Sequence, residues 1–276
     1  MKLFNKIAIK LCPALAILFG TIVVFTTLYL SNKISMVFMF FCLQVYLNWY
    51  SIYSICKKAS TVKVKRSRKE YISNSQFVSI VGNNSSSCTK FWYCEKCMCY
   101  TGRPTQHCSC CERCFHFRDH HCFFIGVCIL RQNMGNFILI CLYTSLASFY
   151  SLSVLGPYLH EHLKHFVKPD STYFNIILNF CFPVALVRQL MSKEDTCIIL
   201  VTLFDTLVSI GCISLAFGIW KLYACLTGKQ RYYLYEGRKQ DLKEIFGNYG
   251  ISNIIFPYNG LIGTRDIGGK SMLKEV

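Results

Sequence analysis

Residues Cys94–Cys128 read CEKCMCYTGRPTQHCSCCERCFHFRDHHCFFIGVC, with nine cysteines and four histidines in 35 positions. Ten of the chain's 18 cysteines fall between Cys88 and Cys128, so the clustering is not a by-product of composition. Cys94 and Cys97 form a C-x2-C, and nine residues later come His107-Cys108, then Cys111 and Cys114 at three-residue steps. Four residues on stands Asp119-His120-His121-Cys122, and Cys128 follows after five more. Thiolate pairs and imidazoles at such intervals suit tetrahedral zinc, each short C-x2-C offering two ligands from one tight turn. Eight ligands saturate two zinc ions, which leaves one cysteine and one histidine of the pattern over. No apolar period of 3.6 persists within 91–133, and Gly102, Pro104 and Gly126 punctuate short runs, which predicts short strands and turns. So small a segment buries little core, and zinc ligation supplies on the order of 10–16 kcal/mol per site in peptides. No internal repeat is read beyond the ligand pattern.

On either side of this segment the chain is built for hydrocarbon. Leu11 to Leu30 and Met36 to Cys56 carry no charge, nor does Gly135 to Tyr158, and Cys197 to Trp220 carries only Asp205. Each is long enough to cross about 30 Å of bilayer core as a helix. A cleaved signal peptide is the other reading of the first. Its apolar stretch is too long for one, no small-residue cleavage site follows, and a second span comes at once. Phe174 to Val187 is apolar but short, broken by Pro183 and closed by Arg188, and reads as an interfacial or re-entrant helix. The expected fold is a polytopic α-helical membrane protein of about four transmembrane helices, with a small zinc-bound cysteine-rich domain between spans two and three. The expected organisation is a first hairpin over 1–56, a basic polar linker over 57–90 and the cysteine-rich domain over 91–133. A second hairpin with a lumenal loop over 134–226 and a C-terminal tail over 227–276 complete it.

Basic residues set the orientation. The segment Lys57 to Glu70 carries seven Lys or Arg against one acid, and Lys2, Lys6 and Lys10 precede the first span. The tail from Lys221 has nine basic and five acidic residues, whereas the connection 159–196 is balanced at four each. Positive residues mark the cytosolic side, so both termini and the cysteine-rich loop are expected there. Zinc thiolates also survive in that reducing compartment. The net charge of +16 is read as answering acidic lipid headgroups, so membrane lipids are expected partners. Nucleic acid is not expected, since the spans and the lack of a C-x2-C…H-x3-H finger argue against it.

The pattern C-x2-C-x9-H-C-x2-C-x2-C-x4-D-H-H-C-x5-C over about 91–137 resembles the cysteine-rich domain of the DHHC protein S-acyltransferases (palmitoyltransferases). Eleven metal or catalytic positions fall in register without a gap. Where the family has Pro-Trp after the active cysteine, Phe123 and Phe124 stand here, a departure similar to the member 24 branch. Thr101-Gly102-Arg103-Pro104 replaces a Lys/Arg-Pro-x-Arg stretch, and Lys229 to Leu234 lacks the family's Thr-Thr-x-Glu. Asn133 matches the family's post-motif asparagine, and Asp241 to Gly247 resembles its Asn-x4-Phe-Gly, with Asp241 in the asparagine's place.

The resemblance implies that Cys94, Cys97, His107 and Cys114 hold one zinc, and that Cys108, Cys111, His121 and Cys128 hold the other. It also implies a ping-pong transfer. Cys122 is acylated from acyl-CoA (palmitoyl-CoA), and the acyl group then passes to membrane-proximal cysteines of substrate proteins. Chemically, a thiolate and not a thiol attacks a thioester, and a free cysteine near neutral pH is only a few per cent ionised. His120 is the candidate base and Asp119 its orienter, with His121 facing the other way along an extended strand. A fatty chain gains about 0.8 kcal/mol per buried CH₂, so it should lie among the spans, with Gly135, Phe137, Ser145 and Ala147 as candidate lining. Asp205 reads as a packing residue paired with Thr206 or a neighbouring hydroxyl. Two other classes stay open: a zinc-stabilised membrane adaptor without turnover, and a membrane-anchored RING-type ligase, whose ligand spacing differs. The endoplasmic reticulum or Golgi is the expected setting.

Overall fold

The computed structural model of the chain describes residues 2–59, 77–80, 89–102, 104–163, 178, 180–191, 197–233, 237–247 and 252–261. Most of the polar linker (60–76 and 81–88), Arg103, the loop segments 164–177 and 192–196, and the last residues 262–276 lie outside the described residues. Among the described residues four helices are long and apolar enough to cross a membrane: Ile7–Ser31, Met36–Lys58, Arg131–Leu163 and Ile198–Thr227. They belong to α1 (Lys2–Ser31), α2 (Met36–Lys58), α3 (Met134–Leu163) and α5 (Ile198–Thr227), the last preceded by a short α4 (Phe182–Met191). Local chemistry sets their ends. Asn32 takes a left-handed φ of 51° and stops α1, and the Ser35 Oγ accepts the Phe38 N–H at 3.3 Å to start α2. Gly228 follows α5 at φ 76°, where a Cβ would collide with the Gly237 carbonyl.

The described residues pack as two units, one of 16–46 and 139–220, the other of 1–15, 47–138 and 221–276. In the first, Val23, Leu155, Leu159, Leu163, Ala185, Val201 and Leu207 form a buried apolar cluster. Thr27 donates to Ser151 across α1 and α3 at 3.0 Å, satisfying two hydroxyls that hydrocarbon would leave unpaired. Of the stretch Phe174 to Val187, 174–177 and 179 lie outside the described residues, Leu178 is helical, and a described helix covers Phe182–Met191. Pro183 sits in the first turn of that helix, where a missing N–H costs least. The pairing expected of Asp205 is corrected. Thr206 turns back to the Thr202 carbonyl, while Asp205 Oδ2 accepts the Phe182 N–H at 2.8 Å and caps the start of α4.

The second unit holds the cysteine-rich segment, which folds as three antiparallel hairpins. These are β2–β3 (Thr89–Cys94, Cys99–Gly102), β4–β5 (Thr105–Cys108, Arg113–His116) and β6–β7 (Arg118–Cys122, Val127–Leu130). A further strand, β1 (Phe77–Ile80), pairs with β2 from within the stretch read as linker. The hairpins close in the same register: Cys94 opposite Cys99, Cys108 opposite Arg113, Cys122 opposite Val127. Each turn has four residues, and the last takes a left-handed φ: Met98 at 50°, Glu112 at 55°, Gly126 at 79°. These positions recur every 14 residues, so the repeat in the ligand pattern is also a repeat of the hairpin turn. The repeat is easy to overlook because most non-ligand residues differ between copies.

Polar side chains tie the hairpins to their surroundings. The Arg113 guanidinium donates to the Cys56 carbonyl at the end of α2, at 2.8 Å. Asn133, fully buried, accepts the Leu130 N–H at 2.7 Å and donates to the Cys128 and Ile52 carbonyls at 3.2 and 3.4 Å. Beyond α5, the short helices α6 (Leu242–Phe246), α7 (Ser252–Ile255) and α8 (Tyr258–Leu261) follow. Glu244 of α6 pairs with Arg131 at 3.4 Å, and Gly135 approaches Ile245 so closely that any Cβ would collide with its carbonyl.

Candidate active site

The repeat explains why the ligands interleave. In each hairpin the first strand ends on a cysteine (94, 108, 122), and the turn places a second residue three positions on (Cys97, Cys111, Ile125). Hairpins two and three also carry a histidine before that cysteine (His107, His121) and a cysteine directly across the ladder from it (Cys114, Cys128). The turn pair of hairpin one meets the His/Cys pair of hairpin two, and the turn pair of hairpin two meets that of hairpin three. The two resulting groups are Cys94, Cys97, His107, Cys114 and Cys108, Cys111, His121, Cys128, whose ligand atoms all lie within 4.8 Å of one another in each group.

Both groups fit zinc. Tetrahedral bonds of about 2.3 Å to sulfur and about 2.0 Å to nitrogen put neighbouring donors roughly 3.5–3.8 Å apart. In the first group Cys97 and Cys114 lie 3.7 Å apart, and the His107 Nδ1 is 3.6, 3.2 and 3.8 Å from the sulfurs of Cys94, Cys97 and Cys114. In the second, His121 Nδ1 is 3.7, 3.4 and 3.7 Å from Cys108, Cys111 and Cys128, with 3.7 Å between the last two sulfurs. Such crowding has an electrostatic signature. Hydrogen bonds from Cys111 and Cys128 pull the Cys108 thiol down, while sharing with Cys108 pushes Cys111 up to about 12 and Cys128 up as well. One thiolate therefore blocks the others, and a dication is what lets all three ionise. Arg118 Nε adds a donor to Cys128 Sγ at 3.3 Å.

Hairpin three repeats the turn without a third metal group. Its cysteine is Cys122, and the residue that would complete the pair is Ile125, so Cys122 has turn geometry but no ligand partner. The backbone N–H groups of Ile125 and Phe124 still point to its sulfur and lower the thiol, while burial pushes it up, and burial prevails. Along β6, His120 and Cys122 occupy alternate positions on one face, and His121 points to the opposite one. A β-bulge between Arg118 and His120 leaves Asp119 outside the regular pairing. Asp119 is buried, and its Oδ2 accepts from His120 Nδ1 at 3.0 Å. The same oxygen binds the Lys221 ammonium from the end of α5. Burial would raise the Asp119 carboxyl, but the His120 hydrogen bond and the Lys221 charge outweigh it and hold the group below its usual range. With Nδ1 donating to a carboxylate, the basic nitrogen of His120 is Nε2.

Among the expected acyl-lining residues, Gly135 has another use: it admits the backbone of α6. Phe137 meets the His120 ring edge-on, centroids 5.3 Å apart. Lys221 escaped the sequence reading, which stopped the fourth span at Trp220 and counted the lysine as the first charge of the tail. The available signal was a lone cation six residues inside the end of a mostly apolar helix; nothing in the spacing pointed to Asp119.

A profile of the DHHC palmitoyltransferase family matches residues 87–238, which include all three hairpins and Lys221. The chain belongs to that family. Among relatives, Palmitoyltransferase ZDHHC22 of Mus musculus is 30% identical over 173 residues, covering 56% of this chain and 60% of the relative. Probable protein S-acyltransferase 15 of Arabidopsis thaliana is 36% identical over 74 residues, covering 27% and 29%. Palmitoyltransferase ZDHHC7 of Rattus norvegicus is 36% identical over 63 residues, covering 23% and 20%. The match thus spans about 60% of the length of the ZDHHC22 relative. Within the DHHC family, the resemblance to member 24 rests on the absent Pro-Trp pair alone.

Proposed function

We propose that this DHHC family member is a protein S-acyltransferase in which Cys122 carries the acyl group. The supporting observation is that Cys122 sits in a metal-binding turn stripped of its partner cysteine, on the strand face shared with a His120 already oriented by Asp119. A purely structural loop needs none of those three residues. Cys122 gives its proton to His120 Nε2, and its sulfur attacks the thioester carbonyl of acyl-CoA. The C–S bond to coenzyme A breaks, and the departing thiolate takes the proton from His120. In the second half a substrate cysteine gives its proton to His120 and attacks the Cys122 thioester, and Cys122 leaves and is reprotonated. Asp119 stays ionised throughout, holding the imidazole tautomer and stabilising the imidazolium.

Zinc, when bound, supplies folding free energy and rigid turns. The eight cysteine and histidine ligands would hold it, and no proton moves through them. The phenyl rings at 123 and 124 stand beside the nucleophile in place of Pro-Trp. Substrates are proteins with cysteines near the cytosolic membrane face, with both termini and the hairpins on that side of an endoplasmic reticulum or Golgi membrane. Clickable palmitate fed to cells expressing the protein tests this. Label on the wild type and none on Cys122→Ser supports the proposal. A wild type that takes no label while holding its zinc is an adaptor.

A further inference from the structure

We infer that Lys221 is a positioning residue of the acyl-transfer site, a clamp from the fourth apolar helix that fixes the Asp119 carboxylate against His120. The inference rests on the acyl-transfer reading of Cys122. Lys221 lies inside the candidate span Ile198–Thr227, and its side chain is only 12% exposed. Burying a lysine there is costly unless an anion meets it. The anion is Asp119, whose side chain is 3% exposed, and both donors converge on one atom, Oδ2. The β-bulge matters here: Asp119 belongs to no regular cross-strand pair, so the ladder alone does not fix its carboxylate. Without the ammonium the carboxylate can rotate and present either oxygen to His120 Nδ1. With it, one oxygen is pinned and the imidazole is held in one orientation.

In this role Lys221 acts through the Asp119 carboxylate and binds no substrate group. Its removal therefore lowers the rate of loading and leaves acyl-CoA affinity alone. Purified full-length protein, stripped of endogenous acyl groups, is loaded with palmitoyl-CoA over a range of concentrations, with Cys122→Ser as the blank. Lys221→Met should load about 10- to 100-fold more slowly at saturation, the usual effect of losing an outer-shell partner, with unchanged KM and zinc content. Lys221→Arg should recover most of the rate. Lys221→Met added to Asp119→Asn should change the rate by less than about twofold, since the two act through one contact.

Loading of Lys221→Met at the wild-type rate overturns the inference. So does a KM rise without a rate change, which would make Lys221 a ligand-binding cation. An arginine variant as slow as the methionine one, or multiplicative losses in the double variant, overturn it equally. Should Lys221→Met lose its zinc, the arginine rescue and the Asp119→Asn pairing still decide. Label remaining on Cys122→Ser would instead remove the acyl-transfer reading itself, an outcome distinct from all of these.

Discussion

Replacing Asn133 by alanine should loosen the second metal group without touching a ligand. Asn133 is fully buried and joins three backbone groups: the Leu130 N–H at 2.7 Å and the Cys128 and Ile52 carbonyls at 3.2 and 3.4 Å. Alanine strands the Leu130 N–H away from water, at a cost of about 1–3 kcal/mol. The Cys128 carbonyl loses one of two acceptor positions, about 0.5–1 kcal/mol, and the long Ile52 contact adds least. The sum is about 2–4 kcal/mol, which for a chain of this size lowers the unfolding midpoint by roughly 5–15 °C. Because Cys128 belongs to the second metal-binding group, zinc held there should leave at that lower temperature too. The assay heats detergent-purified protein with a chromogenic chelator and follows zinc release beside intrinsic fluorescence. Asn133→Asp sharpens the test, since it keeps the acceptor for Leu130 but turns an oxygen toward two carbonyls and buries a charge. It should be no better than alanine. Release midpoints within about 2 °C of wild type for both variants would refute the reasoning.

The two metal groups should hold two zinc ions per chain, and His107→Ala or His121→Ala should each lower the count measured by elemental analysis; a wild-type count near one contradicts the pairing. His120→Ala should keep both ions yet slow Cys122 loading by about 10²–10⁴, the usual contribution of a general base, whereas zinc loss in this variant would mean the two histidines had been exchanged. Glycosylation tags should be modified within 159–196 and unmodified at the N-terminus, in 57–90 and after Lys229; a modified C-terminal tag would mean that the segment around α4 crosses the membrane.

Some features were legible because chemistry restricts the residues that can serve. Apart from closed barrels, hydrocarbon admits only long apolar helices, so the runs beginning at Leu11, Met36, Gly135 and Cys197 could be read directly, and each lies in a helix apolar and long enough to span. Zinc accepts few ligand types, and the C-x2-C spacing matches one turn, so the cysteines and histidines could be read as ligands, while the family resemblance supplied the two sets that meet in space. Other features depend on contacts that spacing does not encode. Lys221 and Asp119 are 102 positions apart, and their pairing depends on how the end of α5 meets the bulge on β6. Asp205 looked like a polar residue seeking a hydroxyl, but the orphan N–H at the start of α4 is the stronger demand. Gly135 suggested a cavity wall, yet a missing Cβ serves equally well to admit a neighbouring backbone. The 14-residue turn repeat was obscured because most non-ligand residues differ between copies and Ile125 stands where the pattern would place a cysteine.

Cys122, and no other cysteine, should carry the acyl group. Purified protein incubated with palmitoyl-CoA and digested under conditions that preserve thioesters answers it by peptide mass spectrometry. The account predicts a hydroxylamine-labile palmitoyl adduct on the peptide containing Cys122, formed within a single turnover and absent from Cys122→Ser that retains its zinc. A labile adduct forming as fast on another cysteine, with Cys122 unmodified, would contradict it.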